Sequence, residues 1–292
     1  MDQATQVLMV PHGQHRLHVD LTPGVGPPVV LMHGFPDNTH LYDRLLPHLA
    51  GHHPVVRFDF LGWGRSDKPD GHPYTATNQV GDIAAVLAAV SGLVDAERVI
   101  LVAHDASGPP AIDWALADPS RVAGLVLLNT YYHWTPRLRR PPAIALYSTP
   151  LVRVAARAVA RRRPDLDRRL YEWQVGRFVA DPDVRQPLVS RLYEDFPAAR
   201  PAFWRLNDDL LGTVLDRRRR IGELRSFAPR VRIVFGERDR YLNPGVAREF
   251  AGLFPNCELH LLADAGHYVQ VDQPARVAEV ITTEWPCANQ SA

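Results

Sequence analysis

The stretch Val99-Ile100-Leu101-Val102-Ala103-His104-Asp105-Ala106-Ser107-Gly108-Pro109-Pro110 carries the most chemical information. An apolar strand runs into a helix with almost no loop between them. A turn that sharp crowds two backbones together, so it needs small residues two before and two to three after its tip. Centred on Asp105, those positions are Ala103, Ser107 and Gly108, all small. Centred on Ser107, they become Asp105, Pro109 and Pro110, which fit poorly. The tip is therefore Asp105, and Ser107 packs beneath it. Taken alone, Asp105 would read as a helix N-cap. It gains a second meaning from Asp239 and His267, which follow two later strands. A carboxylate has a reference pKa of about 3.9 and is ionised at pH 7. Unlike a serine hydroxyl, it can displace a leaving group at saturated carbon without a base. The product is an ester on the chain's own side chain, and its hydrolysis needs a base to activate water.

The elements that must position these residues alternate. Pro28–Met32, Val55–Phe58, Arg98–Ala103 and Val122–Leu128 read as short buried strands. Between them lie helical stripes at Leu41–Leu49, at Thr75 (a cap) to Val90, and at Ser107–Ala117. In the second of these, Asn78, Gln79 and Asp82 are expected to face outward. Pro109 and Pro110 sit in a first helical turn, where a missing N–H costs little. Alternation resumes with strand Val231–Phe235, helix Pro244–Phe254, strand Glu258–Leu262 and a helix near Pro274–Glu284. Such alternation predicts an α/β fold, a mostly parallel sheet flanked by helices. Residues 135–225 break the pattern with helical stripes and no convincing strand. They hold 20 arginines against 11 acidic residues, a net +9, whereas the rest of the chain nets −8. The expected organisation is therefore a core of residues 1–134 and 226–292 with a helical lid at 135–225, over the strand ends where open sheets bind ligands.

The elbow at Asp105 resembles the nucleophile turn of the α/β-hydrolase superfamily, in its aspartate-nucleophile branch. His104-Asp105 looks like the epoxide hydrolases and, more distantly, the haloalkane dehalogenases. The resemblance extends to His33-Gly34-Phe35-Pro36, to Asp59-Phe60-Leu61-Gly62-Trp63-Gly64-Arg65-Ser66-Asp67-Lys68-Pro69, to Gly236-Glu237-Arg238-Asp239 and to Ala265-Gly266-His267. It covers nearly the whole chain outside the lid and implies an α/β-hydrolase fold. It also implies that Asp105 is the nucleophile, that Asp239 holds the His267 ring, and that His267 is the base. Backbone N–H groups of Phe35 and Ala106 would receive the oxyanion, each worth roughly 3 kcal/mol. Dehalogenases of this branch usually carry Trp after the nucleophile and often Asn or Trp after His-Gly; here Ala106 and Phe35 stand there. An epoxide needs an acid near its oxygen, which the family supplies as two lid tyrosines. The candidates for lid acid or substrate contact are Tyr147, Tyr193, Trp204 and Trp134, with Tyr171, Tyr131 and Tyr132 nearby. Where the family has a late Tyr-Arg pair, this chain has Trp204-Arg205. The implied activity is an epoxide hydrolase, with haloalkane or haloacid dehalogenase, or a non-catalytic ligand-binding homologue, as alternatives.

Composition narrows the partners. The chain has 292 residues and a net charge of +1, so no global basic field calls for nucleic acid. The longest apolar run, Ile83–Val90, is far short of the roughly 18 residues a membrane span needs. The residues after Met1 lack a basic and then apolar leader, so a cytoplasmic location is expected. Cys257 and Cys287 lie in no paired pattern, and no metal-ligand spacing appears, so no disulfide framework, metal or cofactor is expected. The expected partners are a small-molecule electrophile and water, with no nucleic acid and no membrane. Gly62-Trp63-Gly64-Arg65-Ser66 lacks the Lys-Ser/Thr ending of a phosphate loop and reads as a structural turn. The arginine runs read as solvated helix faces. Lys68 is the only lysine in the chain.

Overall fold

The computed structural model describes residues 5–208 and 210–285. Eight strands form one sheet: β1 (Gln6–His12), β2 (His15–Thr22), β3 (Val29–Met32), β4 (Val55–Phe58), β5 (Val99–Asp105), β6 (Val122–Thr130), β7 (Val231–Gly236) and β8 (Cys257–Leu262). Their order is β1-β2-β4-β3-β5-β6-β7-β8. The β1–β2 and β2–β4 pairings are antiparallel, and the other five are parallel. Strands β3 and β5 at the centre are apolar and buried on both faces, as a sheet covered by helices on each side requires. Parallel pairing also puts the C-terminal ends of β3, β5, β7 and β8 along one edge, the usual place for a ligand site.

Every strand expected from the sequence is present. The β1–β2 hairpin was not anticipated: Gly13 makes its tight turn at φ +61, and the strands are mixed in polarity rather than cleanly alternating. The hairpin packs against α2 (Ala76–Val90) and changes which of its faces is buried. The Thr75 cap is real, with Asn78 N–H donating to Thr75 Oγ1 and Thr75 N–H to Asn78 Oδ1. Gln79 and Asp82, however, are buried, because β1 covers that face. Asp82 accepts the Leu61 N–H at 3.1 Å and lies 3.3 Å from His12. Burial pushes its carboxyl up to about 7. The stripe at Leu41–Leu49 is broken into a 3₁₀ turn (Thr39–Tyr42) and the one-turn helix α1 (Leu46–Leu49), whose second residue, Pro47, cannot extend an earlier turn.

After β5 comes α3 (Gly108–Ala117). Between β6 and β7 the described chain is helical: α4 (Pro142–Ser148), α5 (Val152–Arg162), α6 (Pro164–Gly176), α7 (Pro182–Tyr193), α8 (Phe196–Asp208), α9 (Leu210–Asp216) and α10 (Ile221–Arg225). The closing elements are α11 (Pro244–Ala251), α12 (Val269–Asp272) and α13 (Pro274–Thr282).

The helical block is fastened to the sheet layer at both ends. Thr135 and Arg137 hold Glu249 at 2.8 Å each. Arg217 and Arg220 both reach Asp113 on α3 at 2.6 Å. Arg217 is buried and Arg220 half-buried, so the run Arg217–Arg220 is not the solvated face expected; only Arg218 and Arg219 are exposed. Cys257 is a free thiol, and Cys287 lies outside the described residues.

Candidate active site

Asp105 ends β5 at φ +50, a conformation that non-glycine residues adopt only under constraint. Ser107 supplies part of that constraint. It is buried, accepts the His104 N–H at 2.9 Å, and lies within donating distance of Met32 O (2.9 Å) and His104 O (2.8 Å). It is the packing residue the spacing argument expects. Two glycines let the backbones close. A Cβ on Gly108 would lie 1.9 Å from Thr130 Oγ1, and one on Gly34 would lie 2.7 Å from Asp105 Cβ. The resulting approach puts the Phe35 N–H donor 3.5 Å from Asp105 Oδ2, and the Ala106 N–H also faces this carboxylate. Burial pushes the Asp105 pKa up; His267 and the two N–H groups pull it down, Asp239 pushes it up further, and the net shift is upward.

Asp239 and His267 reach the same edge from the loops after β7 and β8. His267 Nδ1 lies 2.7 Å from Asp239 Oδ2, and its Nε2 lies 3.9 Å from Asp105 Oδ1, too far for a direct hydrogen bond. Asp239 is held by the Tyr241 N–H at 2.8 Å, the Leu242 N–H at 3.2 Å and the Asn129 amide at 2.8 Å. Burial works against its charge, but His267 and these donors outweigh burial and lower its pKa. Burial likewise opposes a charged His267 ring. The Asp239 charge and hydrogen bond, then Asp105 and Asp37, override it and raise the pKa to about 9. The acceptor on Asp239 leaves Nδ1 as the donor and directs Nε2 to Asp105.

Three residues here escaped the sequence reading. Asn129, at the end of β6, also accepts the Gly236 N–H at 3.0 Å, so one amide locks the β6 end to the acid loop. Asp37, directly after His33-Gly34-Phe35-Pro36, is buried and accepts from Tyr268 Oη at 2.5 Å. Burial raises its carboxyl to about 7 against the pull of Tyr268, and the Asp105 charge adds to the rise. Position next to a recognised motif was the only signal for Asp37; nothing in the sequence marked Asn129 or Tyr268. His104 is tied to the histidine loop through Nε2, 3.1 Å from His267 O, while its Nδ1 is buried without a hydrogen bond. His33 is structural: Nε2 accepts from Phe60 N–H, so Nδ1 donates to Gly34 O at 2.7 Å. The Gly62–Ser66 segment is a turn wrapped on Asp59, which accepts from Thr39 and Arg65 N–H groups.

These groups open into a cavity of about 240 Å³ between the sheet edge and the helical block. Asp105, His267, Phe35, Ala106 and Asp37 line its floor, and mainly apolar residues such as Ile144, Leu170, Phe203 and Val214 line its walls. Among the proposed lid residues, Tyr147 and Trp134 line the cavity, but Tyr193 and Trp204 do not. Tyr147 donates its hydroxyl to Asp167 at 2.8 Å, which occupies its one proton. Tyr193 packs on the outer side of Tyr171, with ring centroids 5.1 Å apart, and beneath Arg168. Trp204 turns away, covered by Arg157 and Arg161, and its buried Nε1 has no partner. The cavity's remaining phenols are Tyr131, Tyr171 and Tyr241. Tyr171 donates weakly to Pro36 O at 3.4 Å. Tyr131 follows β6; burial and the Asp105 charge both keep its hydroxyl protonated. Tyr241 follows β7, and the Gln174 amide donates to its oxygen at 3.5 Å. Among the described residues, no group of His, Cys, Asp and Glu could hold a metal ion.

Several known proteins are similar to this chain along most of its length. A decarboxylase of Shewanella oneidensis, named for cis-3-alkyl-4-alkyloxetan-2-one, is 28% identical over 88% of this chain and 81% of its own length. A haloalkane dehalogenase of Mesorhizobium japonicum is 28% identical over 91% of this chain and 87% of its own. The solved epoxide hydrolase CorEH superposes with a TM-score of 0.73 at 19% identity, covering 95% of this chain and 96% of that one, which bears on the fold alone. Residues 27–274 match the alpha/beta hydrolase fold family, and the chain belongs to that family.

Proposed function

We propose that this chain hydrolyses a small apolar electrophile through a covalent ester on Asp105, and that an epoxide is the substrate the site fits best. The observation that carries this reading is the aspartate at the strained elbow, facing two N–H donors and the Nε2 of an Asp-held histidine. Asp105 attacks a ring carbon, the C–O bond breaks, and the oxygen takes a proton from a neutral phenol. Tyr131 and Tyr241 are the candidates for that acid, since Tyr147 is spent on Asp167. Water then attacks the ester carbonyl, gives its proton to His267 Nε2, and releases a vicinal diol. The Phe35 and Ala106 N–H groups stabilise the intermediate's oxyanion. The helices of residues 135–225 act as the lid that keeps the cavity apolar.

Charge timing supports the sequence of steps. In the free protein, His267 lies between two carboxylates and favours its protonated form. Alkylation removes the Asp105 charge, so the imidazolium loses a stabilising neighbour, its pKa falls, and it returns its proton to the phenolate that ring opening left, standing neutral at the step that needs a base. A second reading, a haloalkane, is favoured by the dehalogenase relative and by Trp134, the one tryptophan lining the cavity among the described residues. A single turnover in ¹⁸O-water tests the common core of both. Ester formation and hydrolysis leave ¹⁸O in the peptide containing Asp105. Label found only in the product would show direct attack by water and end the proposal.

A further inference from the structure

Helix α5 is built inside out. An amphipathic helix on a protein surface turns its arginines to solvent and its valines to the core. Here Arg153 and Arg157 turn inward to Asp208, at 3.0 and 2.8 Å, and Arg157 also donates to Trp204 O at 2.8 Å. Val152, Val154 and Val159 turn outward, 46%, 67% and 49% exposed. Leu151, ahead of the helix, is 87% exposed. It sits at φ 65, ψ −56, in a γ-turn closed by the Val152 N–H on Pro150 O at 2.7 Å. A γ-turn of that hand is rare and strained. A leucine there gains neither packing nor an easy backbone, and local propensity does not account for it.

Exposed apolar patches of this kind mark contact surfaces. Charge decides what the partner is. Arg161, which stacks on Trp204, and Arg162 form the basic last turn of the same helix with no carboxylate partner among the described residues, and the segment 135–225 nets +9. A second copy would set +9 against +9. An anionic lipid surface satisfies both halves of the patch: valines enter the acyl boundary, and arginines meet headgroups. No described helix is long and apolar enough on its own to cross a membrane, and α5, with four arginines among its eleven residues, suits lying along a surface. Arg153 and Arg157 anchor α5 at Asp208, close in sequence to Leu211, which is 54% exposed and also lines the cavity. We propose that the Leu151 turn and the outer face of α5 dock on an anionic lipid surface, bringing the cavity mouth to the acyl region.

Co-sedimentation of the full chain tests this. The probes are vesicles of equal parts phosphatidylglycerol and phosphatidylcholine, and vesicles of phosphatidylcholine alone. Binding to the mixed vesicles should exceed binding to the neutral ones by about tenfold and fall as salt screens the headgroups. Leu151→Asp and the double variant Val154→Asp/Val159→Asp should each lose most of that binding with unchanged circular dichroism and melting. Leu151 is almost fully exposed, so its variant guards against a folding artefact in the pair. Failure to sediment with mixed vesicles, sedimentation unaffected by either variant, or light scattering showing a dimer that Leu151→Asp dissolves would overturn the proposal.

Discussion

The Nε2 of His267 lies 3.9 Å from Oδ1 of Asp105, while Nδ1 of the same ring lies 2.7 Å from Asp239. The ring is thus flanked by two carboxylates, and its pKa rises to about 9. Titration of His267 by NMR should show that elevation, and Asp105→Asn should lower it by removing one neighbouring charge. An unchanged midpoint in Asp105→Asn would mean that Asp105 does not influence the base.

The same shift has a sign in stability. His267 binds its proton more tightly folded than unfolded, where the reference value is 6.5. Its contribution is fully present below about pH 6.5 and is lost as pH rises toward 9, to at most about 3 kcal/mol. Denaturant unfolding of wild type at pH 6.5 and 9 should therefore show a fall that His267→Gln largely removes.

Tyr131→Phe and Tyr241→Phe should each slow ester formation from an epoxide by about a hundredfold or more, as expected for loss of a general acid. Tyr193→Phe and Trp204→Phe should leave it nearly unchanged, because neither residue lines the cavity. Stopped-flow measurement of the first half-reaction separates these outcomes. A full effect in Tyr193→Phe would return the acid to the helical block.

Asn129→Ala should cost about 1–3 kcal/mol in stability and reduce turnover, since it leaves the Gly236 N–H without its acceptor and frees Asp239. Asn129→Asp is the same shape but sets a second carboxylate against Asp239, so its turnover at neutral pH should be lower than that of Asn129→Ala. Steady-state kinetics on both variants checks the order.

Gly108→Ala places a methyl 1.9 Å from Thr130 Oγ1 and should destabilise the elbow by about 3 kcal/mol, in the range of overpacked cores. Thr130→Ala in the same chain removes the clashing oxygen and should restore part of the loss, measurable as a recovered melting temperature.

Much of this was legible in the sequence because the physics was local. The small residues around Asp105 announce a sharp turn, and continuous apolar runs announce buried strands. Thr75 and Asn78 announce a capped helix. What stayed hidden depends on which surfaces meet. Asp82 looked solvated because nothing marked the β1–β2 hairpin that covers it. Tyr193 looked like a lid acid and Trp204 like a lid contact because a sequence does not show which way a helix turns, and neither lines the cavity. Arg217 looked solvated because its partner, Asp113, is over a hundred residues away. Lys68, the lone lysine, donates to Gly64 O and Ser66 O and pins the turn that wraps Asp59.

The most direct test is the intact mass of His267→Gln after incubation with an epoxide and, separately, a haloalkane. Ester formation should proceed and hydrolysis should stall. The proposed chemistry predicts a stable gain on Asp105 equal to the whole mass of the epoxide, since its oxygen is retained. A haloalkane would add only its alkyl group, and that result alone would assign the site to halide release. No adduct from either class, with wild type equally inert and binding the same compounds tightly, would contradict covalent catalysis at Asp105.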